Sequence, residues 1–302
     1  MTDQVETPAP EKEAPPAEEL ELEIGRKGFF SKFNILRMFR KESPKMYVNE
    51  GQKLIENHNL ALATIAFQKA LSLDQENKEA YKGLGNVFMR KGGRSNSNLA
   101  LENFQAASRI DPFDEHVYAL SARLYEKLQM MKEATLERKK MMIVKTLQTE
   151  PNNSIANNNM GILLLQQNNA QSAITYFQKS IAAKASYDVA HRNMSATYLR
   201  MATAEQDEEK KKSLLSQAKA SIGKALEINR STSSLLIDGK ILICEGLFDD
   251  ALTIVEEVEK ADPTNKDVFS FKRTVLEKLR RTKDAQEAYD SYQALADQTP
   301  DG

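Results

Sequence analysis

Charge of one sign, paired cysteines and long apolar runs are all missing from this sequence. Its 42 Lys and Arg nearly cancel its 43 Asp and Glu. No global field therefore marks it for nucleic acid or an anionic surface, and any electrostatic reading has to be local. The single cysteine, Cys244, leaves no internal disulfide and suits a reducing compartment. No apolar run approaches the roughly 20 residues that a membrane-spanning helix needs. The opening stretch MTDQVETPAPEKEAPPAEEL has neither the basic start nor the apolar centre of a secretory signal. Export by that route is not expected, and the chain reads as soluble and cytoplasmic.

What is present first is a tail. Residues 1–23 are rich in Pro, Ala and Glu, with Pro8, Pro10, Pro15 and Pro16 beside Glu18, Glu19, Glu21 and Glu23. So little apolar surface cannot offset the entropy of ordering, which predicts a solvated, disordered segment. Residues 24–43 reverse that character. Phe29, Phe30, Phe33, Ile35, Leu36, Met38 and Phe39 alternate there with Arg26, Lys27, Lys32, Arg37, Arg40 and Lys41. On a helix Phe29, Phe33 and Leu36 share a stripe, but Lys32 and Arg40 interrupt it, so the segment is not a cleanly divided membrane-surface helix. Three readings stay open for its candidate docking residues Phe29, Phe30, Phe33, Leu36, Arg37 and Arg40. They are a cap over the end of the following domain, a peripheral membrane anchor, and a docking segment for another protein.

From Pro44 onward the sequence resembles itself. The stretch YVNEGQKLIENHNLALATIAFQKALSLD from Tyr47 matches YKGLGNVFMRKGGRSNSNLALENFQAASRIDP from Tyr81 and LLIDGKILICEGLFDDALTIVEEVEKADP from Leu235. In each, a bulky residue is followed four places on by Gly and three further by an apolar residue. A loop then leads to Ala, with an apolar residue four later and a small or apolar one three beyond. Apolar residues at that spacing form one helical stripe. The small residues Gly51, Gly85, Ala122, Gly161, Ser195 and Gly239 allow a second helix to approach closely, and Ala63, Ala100, Ala134, Ala173, Ala251 and Ala285 are their counterparts on that second helix. Gly92 and Gly246 can end first helices in the left-handed conformation, as can Asn168 or Asn169.

This pattern resembles the tetratricopeptide repeat (TPR), a helix pair recurring at about 34 residues. Repeats are placed at 44–77, 78–114, 115–153, 154–187, 188–231, 232–265 and 266–299, with 300–302 as a tail. The third has Arg138 at a normally apolar position and a lengthened second helix. The fifth carries an insertion around TAEQDEEKKKSLLSQ that reads as longer helices. The seventh has Lys272 and Arg273 where apolar and small residues are usual, which a terminal repeat with a solvent-facing side tolerates. The resemblance implies an all-α, right-handed superhelical solenoid of about seven helix pairs, whose first helices line a concave groove.

Three consecutive asparagines, Asn157, Asn158 and Asn159, stand in the first helix of the fourth repeat. Asn157 falls on the packing stripe with Met160, Gly161 and Leu164, where a buried amide needs a partner. Asn158 and Asn159 lie beside that stripe, on the face the resemblance assigns to the groove. Amides both donate and accept, so they can hold peptide main chain whatever its side chains. The position of Asn159 carries Asn49 in the first repeat and Asn193 in the fifth, but Gly83, Leu120, Ile237 and Phe271 elsewhere, so the resemblance to an asparagine ladder is broken. The same face is assigned Lys82, Asn86, Arg90, Arg123, Arg192, Arg200 and Lys240, a local gathering of positive charge that favours an acidic or carboxylate-ended peptide. The alternative is an ordinary solvated helix surface.

Lys82 and Asn86 match half of the carboxylate clamp of chaperone-binding TPR domains. The next repeats have Leu120, Ile155 and Asn159 where its other donors would stand, and convergent donors are what such capture needs. His58, His116 and His191 fall in different repeats without ligand or triad spacing. No phosphate loop, metal set or paired carboxylates emerge, and no cofactor is implied. The reading is a non-catalytic scaffold or adaptor for a protein or peptide partner, with no nucleic acid. A membrane-tethered assembly factor anchored by residues 24–43 is the alternative.

Overall fold

The computed structural model describes residues 42–298. The predicted tail at 1–23, the docking residues from Phe29 to Arg40 and residues 300–302 lie outside the described part. Within it the chain is all-α: α1 Pro44–Glu56, α2 Leu60–Leu73, α3 Lys78–Lys91, α4 Arg94–Ile110, α5 Glu115–Lys127, α6 Met131–Thr149, α7 Ser154–Gln166, α8 Ala170–Ala183, α9 Asp188–Ala204, α10 Glu208–Ile228, α11 Thr232–Glu245, α12 Phe248–Ala261, α13 Lys266–Lys278 and α14 Thr282–Gln298. Among the described residues there is no strand, and no helix is long and apolar enough to cross a membrane.

The helices start where short polar side chains can satisfy otherwise orphaned backbone donors. Ser43, Asn59, Asn77, Asn153, Asn169, Asp207, Ser231 and Asn265 each accept a hydrogen bond from a backbone N–H two or three residues on. Asn59, Asn77, Asn153, Asn169 and Asn265 are thus accounted for as helix starts. At the end of α11 Gly246 takes φ 79° and ψ 11°, the left-handed turn that glycine enters without a steric penalty. Asn168 makes the equivalent turn after α7 at φ 60°, and asparagine is among the few other residues enriched there.

The described residues divide into two compact units, residues 42–111 with 123–130 and residues 112–122 with 131–298. In the first, the Phe67 ring on α2 is fully buried and lies against both Gly51 of α1 and Gly83 of α3. A methyl group added at those glycines would come within 2.7 Å and 2.3 Å of the ring. One aromatic side chain therefore joins its own helix pair to the next. Phe104 of α4 fills the matching notch at Gly85, again at 2.4 Å from where a Cβ would sit. Tyr47, Val48, Ile55, Leu84 and Val87 close the core around Phe67.

The second unit repeats this device with variations. Phe177 of α8 packs on Gly161 of α7. In the next pair the notch holds Ser195, whose hydroxyl donates to the Ala218 carbonyl at 2.8 Å; a polar tether replaces the ring. The partner is 23 residues away because the insertion extends both helices, to 17 residues in α9 and 21 in α10. At Gly239 of α11 the ring comes from Phe271 of α13, since α12 offers only Val255 at the position of Phe177. Lys272 pairs with Glu259 at 2.6 Å, and the Arg273 guanidinium sits 4.6 Å from the Tyr289 ring centroid. Both cations at the repeat's normally apolar and small positions are thereby accommodated.

Asp238 on α11 adds a pH dependence. Burial raises its carboxyl above the usual range, with Lys219 and Arg230 pulling the other way and Glu245 adding to the rise. A carboxyl with a raised folded-state pKa binds its proton more tightly when folded, so its contribution to stability is lost as pH rises from the unfolded to the folded value. Asp238→Asn is expected to melt above the parent protein at pH 7. The two melting temperatures should converge below about pH 4, where the unfolded aspartate is also protonated.

Candidate functional site

The eleven residues assigned to the binding face divide between the units. Asn49, Lys82, Asn86, Arg90 and Arg123 belong to the first, and Asn158, Asn159, Arg192, Asn193, Arg200 and Lys240 to the second. In the first unit Lys82, Asn86 and Arg90 are spaced four apart along α3 and so share a face. Lys82 is half-buried and lies 3.3 Å from Glu79. Arg90 Nη1 donates to the Ile55 carbonyl at 3.5 Å, fixing α3 to the end of α1. Asn49 and Arg123 are exposed.

In the second unit three amides form a relay. Asn193 Nδ2 on α9 donates to Asn158 Oδ1 on α7 at 2.9 Å, and Asn158 Nδ2 donates to Asn159 Oδ1 at 3.3 Å. Asn158 is only 2% exposed, so it is a buried link that orients its two neighbours. Sequence spacing placed Asn158 and Asn159 side by side on the face; it had no means of separating the buried amide from the open one. The ends of the relay are half-buried. Asn159 keeps its Nδ2 donor and Asn193 its Oδ1 acceptor without a protein partner among the described residues. One free donor and one free acceptor, held on neighbouring first helices, are what a segment of peptide backbone can pair with.

Three of the assigned residues in this unit are cations. Arg192 is half-buried and Lys240 exposed, and no ion pair involving either is found among the described residues. Arg200 is exposed and its Nη2 donates to Asn168 Oδ1 at 3.1 Å. That bond spans from α9 to the turn that ends α7, and it gives Asn168 a second task besides its left-handed backbone.

Asn157 proves to have a different role from its neighbours. It is 1% exposed, and its Nδ2 donates to the Pro151 carbonyl at 2.8 Å and the Asn153 carbonyl at 2.9 Å. The same position in the preceding pair holds Tyr118, whose hydroxyl donates to the Pro112 carbonyl at 3.1 Å. In the following pair it holds His191, whose Nε2 lies 3.0 Å from the Ala185 carbonyl. All three reach a carbonyl six residues upstream, in the turn between consecutive pairs. A tyrosine, an asparagine and a histidine thus do one job, tying each first helix to the turn before it. Sequence reasoning missed this tether because the three side chains share no chemistry except a hydrogen-bonding tip at one repeat position.

Asn159 also lines a cavity of about 570 Å³ between α6 and α7. Among the described residues, no group of three or more His, Cys, Asp or Glu side chains gathers in a way that could hold a metal ion.

A model of the tetratricopeptide repeat matches residues 155–187, the α7–α8 pair that carries two of the three relay amides. No curated protein matches the sequence. Similar solved structures include PilW, described as a widely conserved type IV pilus biogenesis factor. It is 17% identical, with 72% of this chain and 92% of that chain covered at a TM-score of 0.43. A tetratricopeptide repeat protein from Parabacteroides merdae is 13% identical over 84% of this chain and 94% of its own, at a TM-score of 0.42. YrrB, described as a TPR protein with an unusual peptide-binding site, is 22% identical over 63% and 88%, at a TM-score of 0.29.

Proposed function

Since this chain is a tetratricopeptide-repeat protein, we propose that it is a non-catalytic adaptor that holds an extended segment of a protein partner on the first helices of its second unit, so assembling a multi-protein complex. The observation that carries this reading is the amide relay. Asn158 is sacrificed to the interior, and its bonds hold the Asn159 donor and the Asn193 acceptor in place before any ligand arrives. Pre-organisation of this kind lowers the entropy lost on binding. Main-chain pairing provides affinity without reading side chains, and Arg192, Arg200 and Lys240, assigned to the same face from the sequence, provide preference for an acidic segment.

The test is partner capture by the full chain and by a variant carrying Asn159→Ala, Arg192→Ala and Lys240→Ala together. All three side chains are at least partly exposed, so the variant is expected to fold and melt like the parent. Affinity should fall at least tenfold, with the remaining affinity less sensitive to salt because two cations are gone. Capture at parental affinity would refute the reading.

A further inference from the structure

The exposed large apolar side chains of this protein are not evenly spread. Leu136, Met142, Ile155 and Ile162 belong to the two facing helices α6 and α7, and all four are exposed, with Met142 at 63% and Ile155 at 58%. They line the same cavity of about 570 Å³. Ile155, Asn159, Ile162 and Gln166 form one wall at helical spacing along α7, and Leu136, Lys139, Lys140 and Ile143 form the other along α6. That volume lies within the range of sites that enclose a ligand's side chains.

The cleft has a cause in the sequence. In the first pair the Phe67 ring of the second helix also fills the seam against the next first helix, at Gly83. The third pair carries Arg138 at that position, and α6 has no aromatic residue at all. No ring from α6 enters the seam with α7.

Its charge says what suits it. Among the described residues, the charged side chains lining the cleft are Lys139 and Lys140, and no carboxylate lines it. Lys140 already pairs with Glu137 at 2.7 Å. No ion pair involving Lys139 is found among the described residues, and it is exposed at the rim. We propose that the α6–α7 cleft is a specificity pocket for an acidic peptide, taking one or two large apolar side chains between Ile155, Ile162, Met142 and Leu136 while a flanking Asp or Glu meets Lys139. Lys139 disfavours a basic peptide, and a peptide without large apolar residues leaves the pocket wet. This rests on the adaptor reading and adds to it what the partner's side chains must be. Asn159 belongs to both the relay and the cleft wall, so main chain bound at the relay delivers its side chains there.

The experiment uses the full chain and two fluorescent decapeptide libraries. One has an Asp and Glu background carrying pairs of Phe or Leu at varied spacing; the other is identical except for Lys in place of Asp and Glu. Members of the acidic library are expected to bind, the lysine library to bind at least tenfold more weakly, and Ile155→Ser with Met142→Ser to weaken acidic binding at least tenfold. Both substituted side chains are mostly exposed, so folding is expected to survive, and an unchanged melting curve verifies it. Lys139→Glu should weaken the acidic library and improve the lysine one. Absence of binding, equal binding of the two libraries, or indifference to Ile155→Ser with Met142→Ser overturns the proposal. Acidic binding that is lost with Arg192→Ala but indifferent to the cleft variants leaves the adaptor reading standing and removes the cleft. Acidic binding that is lost with the cleft variants but indifferent to Arg192→Ala does the opposite. A dimer that dissociates on Ile155→Ser, or a gain of more than tenfold in affinity on deleting residues 1–26, would assign the cleft to a second copy or to the chain's own N-terminal segment and overturn partner docking.

Discussion

Phe67→Ala is expected to lower the stability of the first unit by about 3–5 kcal/mol, the usual cost of deleting a fully buried aromatic ring. The effect should be at the upper end because the ring touches glycine on both sides. Neither glycine has a side chain that could swing in to refill the space. The same geometry predicts a change of sign. Gly83→Ala alone puts a methyl group 2.3 Å from the Phe67 ring, so the ring or the helix must shift, at about 1–3 kcal/mol for overpacking. That outweighs the roughly 1 kcal/mol by which alanine improves on glycine inside a helix. In the Phe67→Ala background the clash is gone and the helix preference remains, so Gly83→Ala should become stabilising. Urea unfolding of the parent, both single variants and the double variant gives the coupling directly. Simple additivity would mean that the ring does not occupy the gap between α1 and α3.

Asn157→Leu should destabilise the second unit by about 1–3 kcal/mol, although leucine is the residue type that helical packing at this position would favour. The amide donates two hydrogen bonds, to the Pro151 and Asn153 carbonyls. Leucine would leave the Pro151 and Asn153 carbonyls without that donor, and its shape differs from the planar amide. The asparagine is itself imperfectly satisfied, since its Oδ1 is buried without a partner, and this reduces the net loss. Tyr118→Phe makes the matched comparison in the preceding pair. It removes one hydroxyl bond and keeps the ring, so the expected cost is about 1 kcal/mol. If Asn157→Leu proves neutral or stabilising on urea unfolding, the tether to the turn contributes nothing and the amide is merely tolerated.

The repeated helix pair was legible because its signals are local. Gly51, Gly161 and Gly239 announce close approach, the alanines twelve residues later answer them, and the period exposes both. The two amides beside the packing stripe were also legible as a pair. What spacing could not resolve was their depth. A rotation of a few tens of degrees buries Asn158 and leaves Asn159 half-open, and that rotation is set by how α7 packs against α9 through Asn193. Gly83 is legible as a break in the asparagine ladder and as a helix-packing glycine, but spacing does not show that its neighbour is the ring of the preceding pair's second helix. The α6–α7 cleft left a trace in Arg138 and in the missing aromatics of α6, but a substitution announces only that packing changes, not which seam opens. Residues 24–43 remain as the sequence left them, with a cap, a membrane anchor and a docking segment as their three readings.

A partner held as proposed runs over the first helices of the second unit, across the Asn159–Asn158–Asn193 relay. Photo-crosslinking tests it most directly. A benzophenone-bearing residue is placed at Ala196 on α9 or Ser233 on α11, one turn and two turns from Arg192 and Lys240 respectively, and in parallel at Lys179 on α8 or Lys224 on α10. Adducts with the bound acidic peptide are expected from positions 196 and 233 and none from 179 and 224. Adducts from the second helices alone would contradict it.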